Sequence, residues 1–295
     1  MAQDARIRHR TTAIDGLDLF YREAGRNDAP AVLLLHGYPT SSHMFRHVIG
    51  PLSASARVLA PDLPGFGFSS SPTVDRYSYT FENLAATIEG FLDAVGVDSF
   101  FVYLFDFGAA VGYSLALRHP GRVRGLIVQN GNAHEVGLGP AWASAKAYWA
   151  DPTEENLAKI PEWRTFEGVR EEYLAGMPES ARELVPPECW HVDWMQMCRP
   201  GNLDAQLALF RDYANHVARF PLIVEFHRRH QPPVLLLWGR HDPFFEFEEV
   251  LAYGRALPAL EMHVFNSSHF LLETHAAECS ELMARFVSAT VDSRS

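Results

Sequence analysis

Val102 to Gly112 reads VYLFDFGAAVG. An apolar run breaks on one acidic residue, Asp106, and a stretch of small helix-forming residues opens at Gly108. A strand that turns sharply into a helix presents its turn residue at the carboxyl edge of the sheet, where ligands gather in open α/β folds. The helix start adds unpaired N–H groups and a positive dipole end, both suited to an anion. Two roles fit an Asp at that corner. It can cap the helix. It can also stand where an exposed nucleophile stands in the strand–turn–helix pattern G-x-S-x-G, with Asp106 in the Ser place and Gly108 in that of the second Gly.

Outward from this corner the chain alternates short apolar runs with helical patterns. Strands are expected at 6–14, 17–25, 31–37, 57–62, 100–106, 123–130, 234–239 and 261–266, and the first two are joined by Asp15-Gly16, a hairpin signal. The later runs are almost continuous in Val, Leu and Ile, as when helices cover both faces of a parallel sheet. Helices are expected over 80–96 and 273–289, the second with Ala277, Leu282, Phe286 and Val287 near helical spacing. The alternation predicts an α/β fold with a mostly parallel eight-stranded sheet. From 131 to 230 no parallel-sheet strand is evident, and five of the six tryptophans fall there: Trp142, Trp149, Trp163, Trp190 and Trp194. The expected division is a core of 1–130 and 231–295 with a helical cap of 131–230 inserted after the sixth strand. An elaborate loop region that extends the core is the alternative.

Composition narrows the partners. The 295 residues are 47% hydrophobic and 21% charged, and 25 basic against 36 acidic residues leave a net charge of −11. Such a surface disfavours nucleic acid and anionic lipid. No apolar run reaches the ~18 residues of a membrane span, and the start, MAQDARIRHR, shows no secretory leader. Cys189, Cys198 and Cys279 are odd in number and lack metal spacing, which predicts free thiols in a reducing cytoplasm. None of the 14 histidines forms an HExxH-like pair, so neither metal nor cofactor is expected. The expected partners are a small hydrophobic substrate and water, with the protein a monomer or homodimer.

Three further motifs accompany Asp106. WGRHDPFF sets Asp242 after the 234–239 strand, NSSHF sets His269 after the 261–266 strand, and LLLHGYPTSSHMF ends a strand at His36-Gly37. Nucleophile, acid and histidine then follow the chain order of the α/β-hydrolase triad. From about residue 5 to 290 the sequence resembles the α/β-hydrolase superfamily, and within it the Asp-nucleophile branch of epoxide hydrolases and haloalkane dehalogenases. HGYP resembles the HGxP of epoxide hydrolases. HGYPTSS is similar to the HGNPTSS of haloalkane dehalogenases, with Tyr38 replacing Asn.

The resemblance implies a mechanism. Asp106 would displace an alkoxide or halide from sp³ carbon and form an alkyl-enzyme ester. His269 would activate the water that cleaves it, oriented by Asp242. The N–H groups of Tyr38 and Phe107 would hold the oxyanion. Dehalogenases typically carry a halide-binding Trp after the nucleophile, where Phe107 stands here, and Trp142 or Trp149 would have to replace it. Epoxide hydrolases protonate the leaving oxygen with lid tyrosines. Tyr148, 42 residues after Asp106, and Tyr213, 29 before Asp242, match their spacing, with Tyr173 a weaker choice; a lid-core tyrosine is the alternative for each. Leu104 occupies a place that is usually small. His36, Trp142, Trp149 and His134 are the expected pocket residues, though His134 with Glu135 also fits an ordinary polar loop. A third class is a non-hydrolytic member of the fold, a small-molecule receptor or biosynthetic pocket enzyme.

Overall fold

The computed structural model of the chain describes residues 6–293; the first five residues of the charged N-terminal stretch lie outside them. Eight strands form where the apolar runs lie: β1 (Arg8–Ile14), β2 (Leu17–Ala24), β3 (Ala31–Leu35), β4 (Arg57–Pro61), β5 (Phe100–Phe105), β6 (Val123–Gln129), β7 (Val234–Gly239) and β8 (Glu261–Phe265). Their spatial order is β1-β2-β4-β3-β5-β6-β7-β8. β1 and β2 pair antiparallel, as do β2 and β4, and every other pair is parallel. Asp15 and Gly16 turn the hairpin with φ of 48° and 84°, the left-handed pair that a two-residue turn between right-twisted strands requires.

Burial follows position in the sheet. β3, β4, β5 and β7 are buried at every residue, whereas edge strand β8 is nowhere fully buried. Side chains of a strand alternate between faces, and the sheet therefore carries two cores. Val102 and Leu104 of β5 join Leu33, Leu35, Leu126 and Trp238 under helices α1 (Phe81–Ala94) and α2 (Phe107–Arg118). Phe101, Tyr103 and Phe105 join Val32, Leu34, Ile127 and Leu235 on the opposite face, against the C-terminal helix.

Between β6 and β7 the longer helices are α3 (Ala143–Ala150), α4 (Phe166–Leu174), α5 (Glu188–Met197), α6 (Asn202–Ala218) and α7 (Phe220–His230), and no described residue there is in a strand. After β7 come α8 (Glu248–Ala256) and α9 (Leu272–Asp292), the latter kinked at His275. Cys279, Met283, Phe286 and Val287 form the buried face of α9. This corrects the expected face by one step: Ala277 is exposed and Leu282 only partly buried. Among the described residues no helix is long and apolar enough to cross a membrane, and no cluster of His, Cys, Asp and Glu could hold a metal ion.

Candidate active site

The corner between β5 and α2 is held in a conformation that L-residues avoid. Asp106 has φ 47° and ψ −123°, a strain that persists only where surrounding contacts enforce it. Ala109 N donates to Asp106 O at 2.9 Å, closing the turn. Two glycines permit the approach. A Cβ on Gly37 would stand 2.4 Å from the Asp106 side chain, and one on Gly108 would stand 2.5 Å from the Leu35 and His36 carbonyls. Leu104 fits beneath the corner because α2 has a glycine opposite: a Cβ on Gly112 would stand 2.1 Å from Leu104 Cδ2.

The Asp106 side chain makes no N-cap hydrogen bond to its helix beyond Phe107. Its Oδ1 accepts from Tyr38 N at 2.6 Å. Burial raises its pKa from the ordinary carboxylate value; the charge of His269 and the N–H groups of Phe107 and Tyr38 pull the other way. The two N–H groups expected to form the oxyanion site thus both bear on this carboxyl.

His269 and Asp242 come together from two adjacent loops. His269 Nδ1 lies 2.7 Å from Asp242 Oδ2, and both side chains are buried. Asp242 also accepts from Asn130 Nδ2 at 2.7 Å and from the N–H groups of Phe244 and Phe245 at 2.7 and 3.2 Å. Four donors therefore converge on one carboxylate. Its hold on His269 Nδ1 leaves Nε2 free, and the rings of Phe105, Phe244, Phe245 and Phe270 enclose the imidazole at 4.6–5.5 Å. Burial alone would lower the His269 pKa. The charge and hydrogen bond of Asp242, joined by the charges of Asp106 and Glu172, outweigh it and raise the pKa. Asn130 was not anticipated; an Asn ending a strand in QNGN gives no sign that its amide crosses to the next loop.

The expected pocket residues divide. Tyr213 on α6 is fully buried, its ring 5.8 Å from Phe107 and stacked on Trp142 at 5.1 Å, and its hydroxyl has no partner among the described residues. Burial first, then the charge of Asp106, holds its pKa well above 10. Tyr148 lies apart. It packs with Ala145 and Phe210 in a small cluster of its own, and Arg211 Nε donates to its hydroxyl. Tyr173 donates to Asp193. The indole N–H groups of Trp142 and Trp149 are already engaged, with Phe244 O and with Phe210 O at 2.9 Å. This corrects the expectation that either could serve a halide. His36 braces the loop instead of facing a ligand: Leu63 N donates to its Nε2 at 3.0 Å, so the proton is on Nδ1, 3.0 Å from Gly37 O. His134 pairs with buried Glu249 at 2.9 Å, behind the site.

One further carboxyl bears electrostatically on the site. Glu172 on α4 is half-buried, and the charges it feels are those of His269, Asp106 and Asp242. It stands in REEYL, beside an exposed Glu171 of the same type. The available signal was its phase: it shares a helix face with buried Val169 and Tyr173.

Comparison with known proteins agrees with this architecture. A family profile described as alpha/beta hydrolase fold matches residues 30–276. An uncharacterized hydrolase of Saccharomyces cerevisiae is 38% identical over 277 residues, 92% of this chain and 94% of its own length. A haloalkane dehalogenase of Bradyrhizobium diazoefficiens is 40% identical over 126 residues, 43% of this chain and 40% of its own. Among solved structures, the epoxide hydrolase CorEH superposes with a TM-score of 0.77 at 20% identity, covering 96% of this chain and 99% of that one, a likeness of fold.

Proposed function

The chain belongs to the α/β hydrolase fold family, and on that premise we propose that it opens epoxides to vicinal diols through a covalent ester on Asp106. The segment 131–230 then acts as a cap that closes the pocket over the sheet edge. One observation carries the choice of leaving group. Beside Phe107 the buried Tyr213 hydroxyl has no partner among the described residues, whereas the indole N–H groups of Trp142 and Trp149 are spent on backbone carbonyls. A hydroxyl suits a developing alkoxide.

In this reading Asp106 attacks one epoxide carbon, the ring C–O bond breaks, and the Tyr213 hydroxyl hydrogen-bonds the freed oxygen as it takes up the proton that ester hydrolysis later returns. The resulting ester has no charge, so one of the fields that raised the His269 pKa is gone. The imidazole becomes easier to hold neutral, and Nε2 is free to take a proton from water. Water attacks the Asp106 carbonyl carbon, and the N–H groups of Tyr38 and Phe107 stabilise the tetrahedral oxyanion.

Haloalkane dehalogenation is the second reading. It is supported by the dehalogenase similarity over part of the chain and by Trp163, whose ring packs 4.8 Å from Tyr38 and whose indole N–H makes no hydrogen bond among the described residues. A matched pair of substrates separates the two. Turnover of 1,2-epoxyhexane with none of 1-bromohexane is expected. Bromide release from 1-bromohexane without diol formation from the epoxide would reverse the assignment.

A further inference from the structure

Glu172 lies on the apolar face of α4, three residues from buried Val169 and next to buried Tyr173. A partner or a proton stabilises a carboxyl on that face, and among the described residues it has no ion pair and no hydrogen bond. The end of α4 is clamped to the two loops that carry Asp242 and His269. Ser268 Oγ donates to Ala175 O, and the Tyr173 ring stacks on Phe270 at 3.9 Å. Gly176, with φ 69°, passes so close to the other loop that a Cβ would stand 1.9 Å from His241 O. These contacts fall on the immediate neighbours of His269 and Asp242, and they set the end of α4, with Glu172 one residue before Tyr173, beside the two loops. The charges that bear on it are those of His269, Asp106 and Asp242 from three loops at the sheet edge, and its own charge bears on the Tyr38 hydroxyl from a fourth.

We propose that Glu172 is the general acid of the ester-forming step, protonating the atom that leaves carbon, and that the substrate therefore leaves through oxygen. The inference rests on the reading that Asp106 attacks carbon. As Asp106 forms its C–O bond, the ring C–O bond breaks and the Glu172 proton moves to the freed oxygen, giving a hydroxyl and a Glu172 carboxylate. Water then cleaves the ester, one of its protons passing through His269 to the departing product oxygen. The other leaves Asp106 as that residue ionises again and restores Glu172. No proton is gained or lost over the cycle.

Burial pushes the Glu172 carboxyl up to about 8, with the charges of Asp106 and Asp242 adding and that of His269 opposing. At neutral pH it holds its proton. Tyr213, well above 10, can hydrogen-bond the same oxygen, but a carboxyl near 8 transfers a proton more readily. A halide takes no proton at this pH, and a carboxyl that ionised beside it would repel it.

The test is the rate of ester formation in the His269→Gln protein, followed by rapid quench and intact mass with 1,2-epoxyhexane. That rate should be level near neutrality and fall as Glu172 ionises, at or above pH 8 because the imidazolium that lowered its pKa is absent. Adding Glu172→Gln should slow ester formation by ~10²-fold or more and abolish the alkaline fall. Glu172→Asp should recover part of the rate and keep the fall. A Glu172→Gln protein that retains the rate, or loses rate yet keeps the same alkaline fall, would overturn the acid role while leaving the epoxide reading intact. No epoxide ester in His269→Gln, with 1-bromohexane alkylating it instead, would overturn that reading and the acid role together.

Discussion

At the scale of single residues, separate side chains carry separate steps of the proposed reaction, and substitutions should separate them. If His269 serves the second step as proposed, His269→Gln should alkylate once and stop. Intact mass after incubation with epoxide should find a stable adduct on the peptide carrying Asp106, whereas an unmodified protein with turnover retained would remove His269 from that role. The tyrosines should also part company. Tyr213→Phe deletes an unpartnered buried hydroxyl beside Phe107 and should slow epoxide opening ~10-fold or more. Tyr148→Phe breaks a contact with Arg211 and should leave steady-state rates within about twofold. A slow Tyr148→Phe protein beside a normal Tyr213→Phe one would invert the assignment. Sequence spacing could not choose between them. Both tyrosines lie at plausible distances from Asp106 and Asp242, and only the packing of α3 against α6 turns one hydroxyl away from the site.

At the scale of elements, the corner between β5 and α2 depends on a paired exchange of volume. Leu104 is large where a small residue is usual, and Gly112 supplies the missing space on the facing helix. Gly112→Ala should therefore destabilise the fold by ~1–3 kcal/mol through overpacking. Adding Leu104→Ala should give back part of that cost, a coupling that a double-mutant cycle in urea measures. Additive losses would mean that the two residues do not share the space. Such compensation explains why the strands were legible and the site only partly so. Strand identity follows from local runs such as VLLLWG, which only a sheet covered on both faces buries completely. The partners of Leu104, of the Trp142 and Trp149 indoles and of the Asn130 amide belong to other elements, and no local pattern records them.

At the scale of the whole molecule, buried titrating groups set a pH window for stability. Glu172 and Asp193, both pushed by burial up to about 8, bind protons more tightly folded than unfolded, and His269 is raised also. Their contribution is complete below the unfolded pKa values and is lost as pH rises toward 8. His43 is lowered to about 4 and His216 and His227 to about 3, chiefly by burial. The unfolded chain takes up their protons below about 6.5 and the folded chain refuses them, which offsets the gain from the raised carboxyls toward acid. Above about pH 6.5 the raised groups act unopposed, and the melting temperature should fall by ~2 °C or more between pH 6.5 and 8. A Tm that rises steadily from pH 6 to 8.5 would contradict this. The composition expressed only a net charge of −11; the window comes from which carboxyls and imidazoles the fold encloses.

The central claim is that Asp106 attacks carbon and gives one of its own oxygens to the product. A single turnover of 1,2-epoxyhexane in ¹⁸O-water, with enzyme in excess, tests it most directly. The expected product is diol carrying mainly ¹⁶O at the new hydroxyl, with the heavy oxygen in the Asp106 carboxylate. Diol carrying ¹⁸O from the first turnover, with Asp106 unlabelled, would mean that water attacks the substrate directly and would contradict it.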